Sequence, residues 1–297
     1  MSDIGLQDLP RLETRHAAML AEMGINCWWQ EAQARQPPAT QPAAAPAVRG
    51  VTAAATSPAA TRVPQPSRQQ ERPAPPTVTA PAPVPARAVI PLAEVPTDQA
   101  ALAEAIRACR ACDLGTRRRQ AVPGMGDPAP DWLIVGEAPG EEEDRQGLPF
   151  VGRAGQLLDR MLAAMGLDRQ HQVYIANVIK CRPPQNRNPD PVEIAQCEPY
   201  LLRQIELLRP RFILALGRFA AYTLLAHATQ PGADSLRQLP LGKLRGRVHE
   251  IEIAGRRLPL VVSYHPAYLL RSPAEKAKSW ADLCLALDAF GRLPPRG

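Results

Sequence analysis

Trp132-Leu133-Ile134-Val135-Gly136-Glu137-Ala138-Pro139-Gly140 is the stretch that decides the architecture. Its first four residues are apolar, two of them β-branched, and too few for a helix, so they read as a strand buried on both faces. Two glycines and a proline then turn the chain tightly and let backbone amides approach a ligand. Working outward, residues 155–166 carry Leu157, Leu158, Met161, Leu162 and Met165 at helical spacing. Residues 173–179 read as a second strand, 192–208 as a helix, 212–216 as a third strand and 218–228 as a further helix. Residues 248–253 and 258–263 flank Ala254-Gly255 as a hairpin-like pair, and 273–290 close with a helix. Strands alternating with helices imply a sheet covered on both faces. The expected fold is therefore α/β, a three-layer α/β/α domain over residues 97–297 with a central, mainly parallel four-stranded sheet. In such sheets the chemistry sits in loops at the carboxyl ends of the strands.

Upstream the composition changes. Residues 36–96 hold 15 of the chain's 34 prolines, much alanine and no aromatic residue. Such a tract buries too little apolar surface to offset its ordering entropy, so a disordered, extended linker is expected. Before it, within residues 1–35, a short helix over 9–31 carries Leu12, Met19, Leu20 and Met23, with Trp28 and Trp29 near its end. A helix this short needs a surface for its apolar face: the main domain, or a protein partner held through residues 1–35. The excess of 35 basic over 29 acidic residues gives a net charge of +6, compatible with a polyanionic partner but not diagnostic of one. No apolar run reaches the ~20 residues of a membrane span, and Met1-Ser2-Asp3 does not open a signal peptide. A cytoplasmic protein, monomeric by default and without a membrane partner, is expected.

Six cysteines in such a chain point to metal binding or buried thiols and away from a disulfide framework. Cys109 and Cys112 form a C-x2-C turn, Cys181 follows a strand, and Cys197 lies in the next helix. Four thiolates suit tetrahedral zinc or a [4Fe–4S] cluster, and spacing alone leaves both open. Cys27 and Cys284 have no partner at ligand spacing and are read as free thiols.

The strand-end loops hold the candidate chemistry. Glu137 ends the first strand, with Ala138 beside it in the turn. Glu141 and Glu142 suit the first turn of a helix, where acids favour the dipole. Phe150, between Gly147 and Gly152, is either a core plug or a ring that stacks on a flat ligand. Asn177 carries a donor and an acceptor on one amide, enough to read a pyrimidine edge, although such a residue also serves turns. His265 sits on a loop stiffened by Pro266. Leu269 and Leu270 form an apolar wedge that suits the gap left by an extruded base, and Arg271 suits a phosphate.

Taken in order, these motifs resemble the family 4 uracil-DNA glycosylases. The matching stretches are Gly136-Glu137-Ala138-Pro139-Gly140, Pro149-Phe150-Val151-Gly152, Asn177-Val178-Ile179-Lys180-Cys181-Arg182-Pro183-Pro184-Gln185 and His265-Pro266-Ala267-Tyr268-Leu269-Leu270. The resemblance covers roughly residues 108–287 and implies a [4Fe–4S] cluster on Cys109, Cys112, Cys181 and Cys197. It also implies uracil-containing DNA as substrate, single-stranded or U·G. Phe150 would stack on the extruded uracil, Asn177 pair with its polar edge, Glu137 position or activate the attacking water, and His265 stabilise charge on the leaving base. Where the best-known branch of the superfamily has a tyrosine this chain has Gly140, so exclusion of thymine is assigned to Glu143 reaching back over the pocket. One related branch carries a basic insertion whose histidine traps the sugar covalently; no such histidine follows Lys180-Cys181-Arg182-Pro183-Pro184, which implies turnover. A cluster protein without catalysis that binds nucleic acid or a replication partner through the same fold, and a metal-dependent nuclease using the acidic loop, are the competing readings.

Overall fold

A computed structural model of the chain describes residues 89–229, 233–236 and 238–296. The helix expected within residues 1–35, with Cys27, and the linker as far as residue 88 lie outside the described residues.

Among the described residues six strands form one sheet: β1 (Met125–Gly126), β2 (Trp132–Gly136), β3 (Val173–Asn177), β4 (Phe212–Leu216), β5 (Val248–Ile253) and β6 (Arg256–Ser263), in the order β1-β3-β2-β4-β6-β5. The expected parallel quartet is its centre, β3-β2-β4-β6. Antiparallel β1 and β5 extend it at either edge. β1 has only two residues, Met125 and Gly126, too short for any periodic signal. β5 alternates exposed and buried residues, as an edge strand with one solvated face must. Its turn into β6 uses Ala254 and Gly255, both left-handed at φ 51° and 70°, the conformation that a two-residue hairpin requires.

Helices cover both faces. α4 (Arg153–Ala164) and α10 (Lys276–Gly291) pack on one side, against Trp132 and Ile134 of β2, Val173 and Ile175 of β3, and Phe212 and Leu214 of β4. The alternate residues Leu133, Val135, Ile213 and Ala215 face α5 (Pro191–Leu208) and α6 (Arg218–Leu225) on the other. The period of two thus divides each central strand between two cores, which explains why β2 and β4 are apolar throughout. Helix α1 (Gln99–Ala108), capped by Asp98, lays Leu102 and Ile106 near Tyr200 of α5. A short α2 (Leu114–Arg117) follows it, α3 (Glu141–Gln146) follows the first strand-end loop, and short α7 (Ala233–Leu236) and α8 (Leu241–Leu244) lie between α6 and β5.

Register brings the chemistry together. Gly136 pairs with Asn177 and Leu216 with Ser263, so the four parallel strands end level with one another. Glu137, Asn177, Gly217 and His265 therefore emerge on one edge of the sheet. The turn carrying Phe150 joins them by lying against α4: a Cβ on Gly155 would stand 1.8 Å from the Phe150 carbonyl oxygen. Alanine within a helix is ordinarily favoured over glycine by about 1 kcal/mol. Here the clash reverses the sign, and Gly155→Ala is expected to destabilise the domain by about 1–3 kcal/mol, as overpacking does. Chemical denaturation checks this, and a variant more stable than the wild type would contradict the close approach.

Candidate active site

A cavity of about 640 Å³ opens at this edge, and Glu137, Ala138, Glu143, Phe150, Asn177 and His265 all contribute to its wall. The four residues expected to surround a base thus share one cavity. Arg271 lines it as well. The apolar wedge needs correction: Leu269 is fully buried in the core beside α4 and cannot enter a duplex, whereas its neighbour Leu270 is exposed. The cause is helical geometry. The stretch expected as a loop is α9 (Pro266–Arg271), with Pro266 in its first turn, so successive leucines point in different directions.

His265 is the N-cap of α9. Its Nδ1 accepts a hydrogen bond from the Ala267 amide at 3.2 Å. A neutral ring whose Nδ1 accepts carries its proton on Nε2. That Nε2 is buried and has no hydrogen-bond partner among the described residues. Burial, with a smaller contribution from Arg271, lowers the His265 pKa to about 4. At neutral pH the residue is an uncharged N–H donor in the cavity wall.

Phe150 stands at φ 52°, a left-handed conformation that costs a bulky residue of order 1–3 kcal/mol and needs surrounding support. Glu143 supplies part of it. One carboxylate oxygen accepts from the amides of Val151 (2.9 Å) and Gly152 (3.0 Å), the other from Gly140 (3.0 Å). Glu143 is therefore first a clamp that joins the two glycine-rich loops, and its carboxylate reaches the cavity wall already holding three amides. Arg169, which the sequence did not single out, donates to the Phe150 carbonyl at 2.8 Å and pairs with Asp159 at 2.6 Å. The Phe150 ring lies 5.4 Å from the His265 ring at an interplanar angle of 29°.

Asn177 and Phe150 meet above Gly136, where a Cβ would stand 2.4 Å from Asn177 Oδ1 and 2.5 Å from the Phe150 ring. Only glycine leaves room for both. Asn177 Oδ1 is buried and, like His265 Nε2, has no partner among the described residues. Glu137 is half-buried: desolvation raises its pKa, while Arg218 and Arg271 pull it down. Arg218 lines the cavity together with Gly217, Tyr264 and Tyr268. None of these four was a sequence candidate, yet Arg218 stands just past the end of β4 as Glu137 does past β2, and Tyr264 just past β6, so the strand-end rule applied to every strand finds Gly217, Arg218 and Tyr264. Two other acids of α3 do not line the cavity: Glu142 pairs with Arg145, and Glu141 lies 3.5 Å from Arg182.

A second constellation lies beside this edge. Cys109 caps the end of α1, Cys112 follows in the turn before α2, Cys181 comes after β3, and Cys197 sits in α5. The thiols lie within electrostatic reach of one another. Burial pushes Cys181 up to about 11, with Cys112 and Cys109 adding to the rise and Arg118 opposing it. Cys112 and Cys197 are likewise raised, chiefly by burial. Arg118 donates to Cys181 Sγ at 2.8 Å and to the Cys109 carbonyl at 3.0 Å. A Cβ on Gly115 would stand 2.8 Å from that carbonyl, so the C-x2-C turn packs against a position that needs glycine. Among the described residues no three His, Cys, Asp or Glu side chains converge on the position of a single metal ion. Cys284 stands apart, half-buried on α10.

Among the described residues no helix is long and apolar enough to cross a membrane. Residues 123–284, which span both the cavity and two of the four cysteines, match the family described as the uracil DNA glycosylase superfamily. The chain is 41% identical over 190 residues to the type-4 uracil-DNA glycosylase of Archaeoglobus fulgidus, covering 64% of this chain and 92% of that protein. It is 43% identical over 193 residues to the type-4 enzyme of Pyrobaculum aerophilum (64% and 95%) and 42% over 173 residues to that of Saccharolobus solfataricus (58% and 77%). With the parallel sheet, the level strand ends and the shared cavity, these matches place the chain in the uracil DNA glycosylase superfamily.

Proposed function

We propose that this protein is a monofunctional uracil-DNA glycosylase of the type-4 kind: it hydrolyses the N-glycosidic bond of deoxyuridine in DNA, releases uracil and leaves an abasic site for base excision repair. The observation that carries this reading is the pair of orphaned atoms, Asn177 Oδ1 and His265 Nε2, in one cavity with Phe150. Leaving a buried polar atom unpaired costs about 1–3 kcal/mol. A planar ligand with a donor on one edge and an acceptor on another relieves both costs while its face meets the aromatic ring, and uracil has that pattern.

In this mechanism DNA presents the nucleotide everted, at a cost of a few kcal/mol that is smallest in single strands and mismatches. Activity on single-stranded and on U·G DNA follows. Bond cleavage leaves positive charge on the sugar and negative charge on the departing base. His265, neutral and donating through Nε2, stabilises the uracil oxygen as that charge builds. Glu137, whose ionised form Arg218 and Arg271 favour against its burial, positions the attacking water and takes its proton. The Glu143 carboxylate, fixed by three amides next to Gly140, gives the cavity a wall that does not yield to an added methyl group. Rejection of thymine by such a wall is worth about 1–3 kcal/mol.

The four cysteines fit a [4Fe–4S] cluster. Four thiolates suit such a cluster, and Arg118 and Lys180 would offset part of their charge. Cys109, Cys112, Cys181 and Cys197 would hold the cluster, tying the C-x2-C turn, the segment after β3 and helix α5 together. Cys181→Ser is expected to abolish the broad visible absorbance of the cluster and to lower thermal stability. An unchanged spectrum would remove Cys181 from the ligand set.

Uracil-containing oligonucleotides, treated with alkali after incubation, test the activity. Alkali-dependent breaks at uracil with free uracil in solution are expected, while uracil-free DNA stays intact. A fully loaded protein that binds DNA without releasing uracil would favour a binding role, and direct cutting of uracil-free DNA would favour a nuclease.

A further inference from the structure

Lys180 is a buried cation that the reaction just described does not use. Its side chain is 1% exposed, and its Nζ donates to the backbone carbonyl of Asn177 at 2.7 Å and to Gln204 Oε1 at 2.6 Å. Gln204 is also buried and donates in turn to the Pro123 carbonyl at 2.7 Å, while the Lys180 carbonyl accepts from the Val122 amide at 2.8 Å. Both oxygens on Nζ are neutral. Two of the four thiols of the second constellation, Cys197 and Cys181, act on the ammonium once they are thiolates, as ligands of a cluster are. An ammonium taken out of water is costly unless an opposite charge stands close. Among the described residues no carboxylate forms an ion pair with it. Its countercharge is the thiolate seat itself.

The other end of this side chain is what gives the placement meaning. Asn177 is the last residue of β3, and its amide reads the base; its carbonyl is the oxygen that Lys180 holds. The next two amides, Val178 and Ile179, bond to the carbonyls of Gly136 and Glu137 at 2.9 and 3.2 Å. The turn from Asn177 to Lys180 therefore carries the base-reading amide, braces the loop of Glu137 and ends at the cysteine seat. We infer that Lys180 is a positioning residue, a charged strut that spans from the four-cysteine seat to the Asn177 carbonyl and uses the negative charge of that seat to hold the base-reading amide in register. This rests on the cluster and on the uracil reading proposed above.

The test uses the full-length protein and a double-mutant cycle, because residues that act through one another are not additive. Lys180→Met, similar in length and uncharged, is expected to lower kcat/KM on uracil DNA about tenfold in the wild-type background. In an Asn177→Ala background the same change is expected to cost less than twofold, because the amide it positions is gone. Electrochemistry of the loaded protein supplies a readout that does not involve activity: loss of a nearby positive charge disfavours the more negative reduced cluster, so its midpoint potential is expected to fall. Equal losses in the two backgrounds, or an unmoved potential, would overturn the inference. If Lys180→Met does not fold or load, Gln204→Met removes one oxygen from Nζ and keeps the charge. Its smaller loss of kcat/KM is then expected to vanish in the Asn177→Ala background, and persistence of that loss there would overturn the inference too. A wild-type protein without the visible absorbance, or one that releases no uracil, would instead refute the reading on which the inference rests.

Discussion

His265→Ala is expected to lower kcat for uracil release by about 10²–10³-fold, the usual consequence of losing one preorganised donor to a developing oxyanion. KM should change little, because the hydrogen bond to the base strengthens mainly as the glycosidic bond breaks. The same substitution removes the cap of α9, where Nδ1 accepts from Ala267, so about 1 kcal/mol of stability is lost with it. His265→Asn separates the two effects, since asparagine caps well but does not place a donor at the position of Nε2; it should restore stability without restoring rate. The pH dependence follows from the His265 pKa of about 4. An imidazole already neutral does not titrate between pH 6 and 8, so no activity is lost as pH rises through that interval. A falling limb there would show that the protonated ring is the active form and would refute the donor assignment.

Glu137→Gln is the second large effect, expected to lower kcat by about 10²–10⁴-fold through loss of the base that positions and deprotonates water. Burial raises the Glu137 pKa, so the wild-type rate should fall, as pH is lowered, at a pH above the range usual for an exposed carboxylate. The glutamine variant should lose that acid limb. Arg218→Met tests the electrostatics independently. Arg218 stabilises the ionised carboxylate, its removal raises the Glu137 pKa further, and the acid limb should shift to higher pH. A limb that stays in place in Arg218→Met would mean that another group titrates.

The sequence revealed the centre of this fold because its strands are buried on both faces: the apolar runs of β2 and β4 have no other reading. It was less informative where local rules compete. Pro266 reads as a loop stiffener, yet it opens helix α9, and the helix sends Leu269 into the core. β1 was invisible because two residues around Gly126 carry no periodicity, and it forms only by pairing with β3. The principal site residues were legible because strand ends are fixed points of the architecture. Arg169 was not, because its role is to hold a backbone carbonyl, and nothing local marks the partner at Phe150. Glu143 was assigned to the cavity from its place in a motif, whereas its three amide bonds show a clamp that sequence spacing cannot reveal. Lys180 read as part of a motif, and only burial discloses its two neutral partners and two thiols.

A crystal structure of the protein on duplex DNA carrying a non-hydrolysable deoxyuridine analogue tests the central claim most directly. The account predicts the uracil everted into the cavity, its face on Phe150, its polar edge on the Asn177 amide and its oxygen within hydrogen-bond distance of His265 Nε2. A base bound outside that cavity, or one in it that leaves Asn177 Oδ1 and His265 Nε2 still without partners, would contradict it.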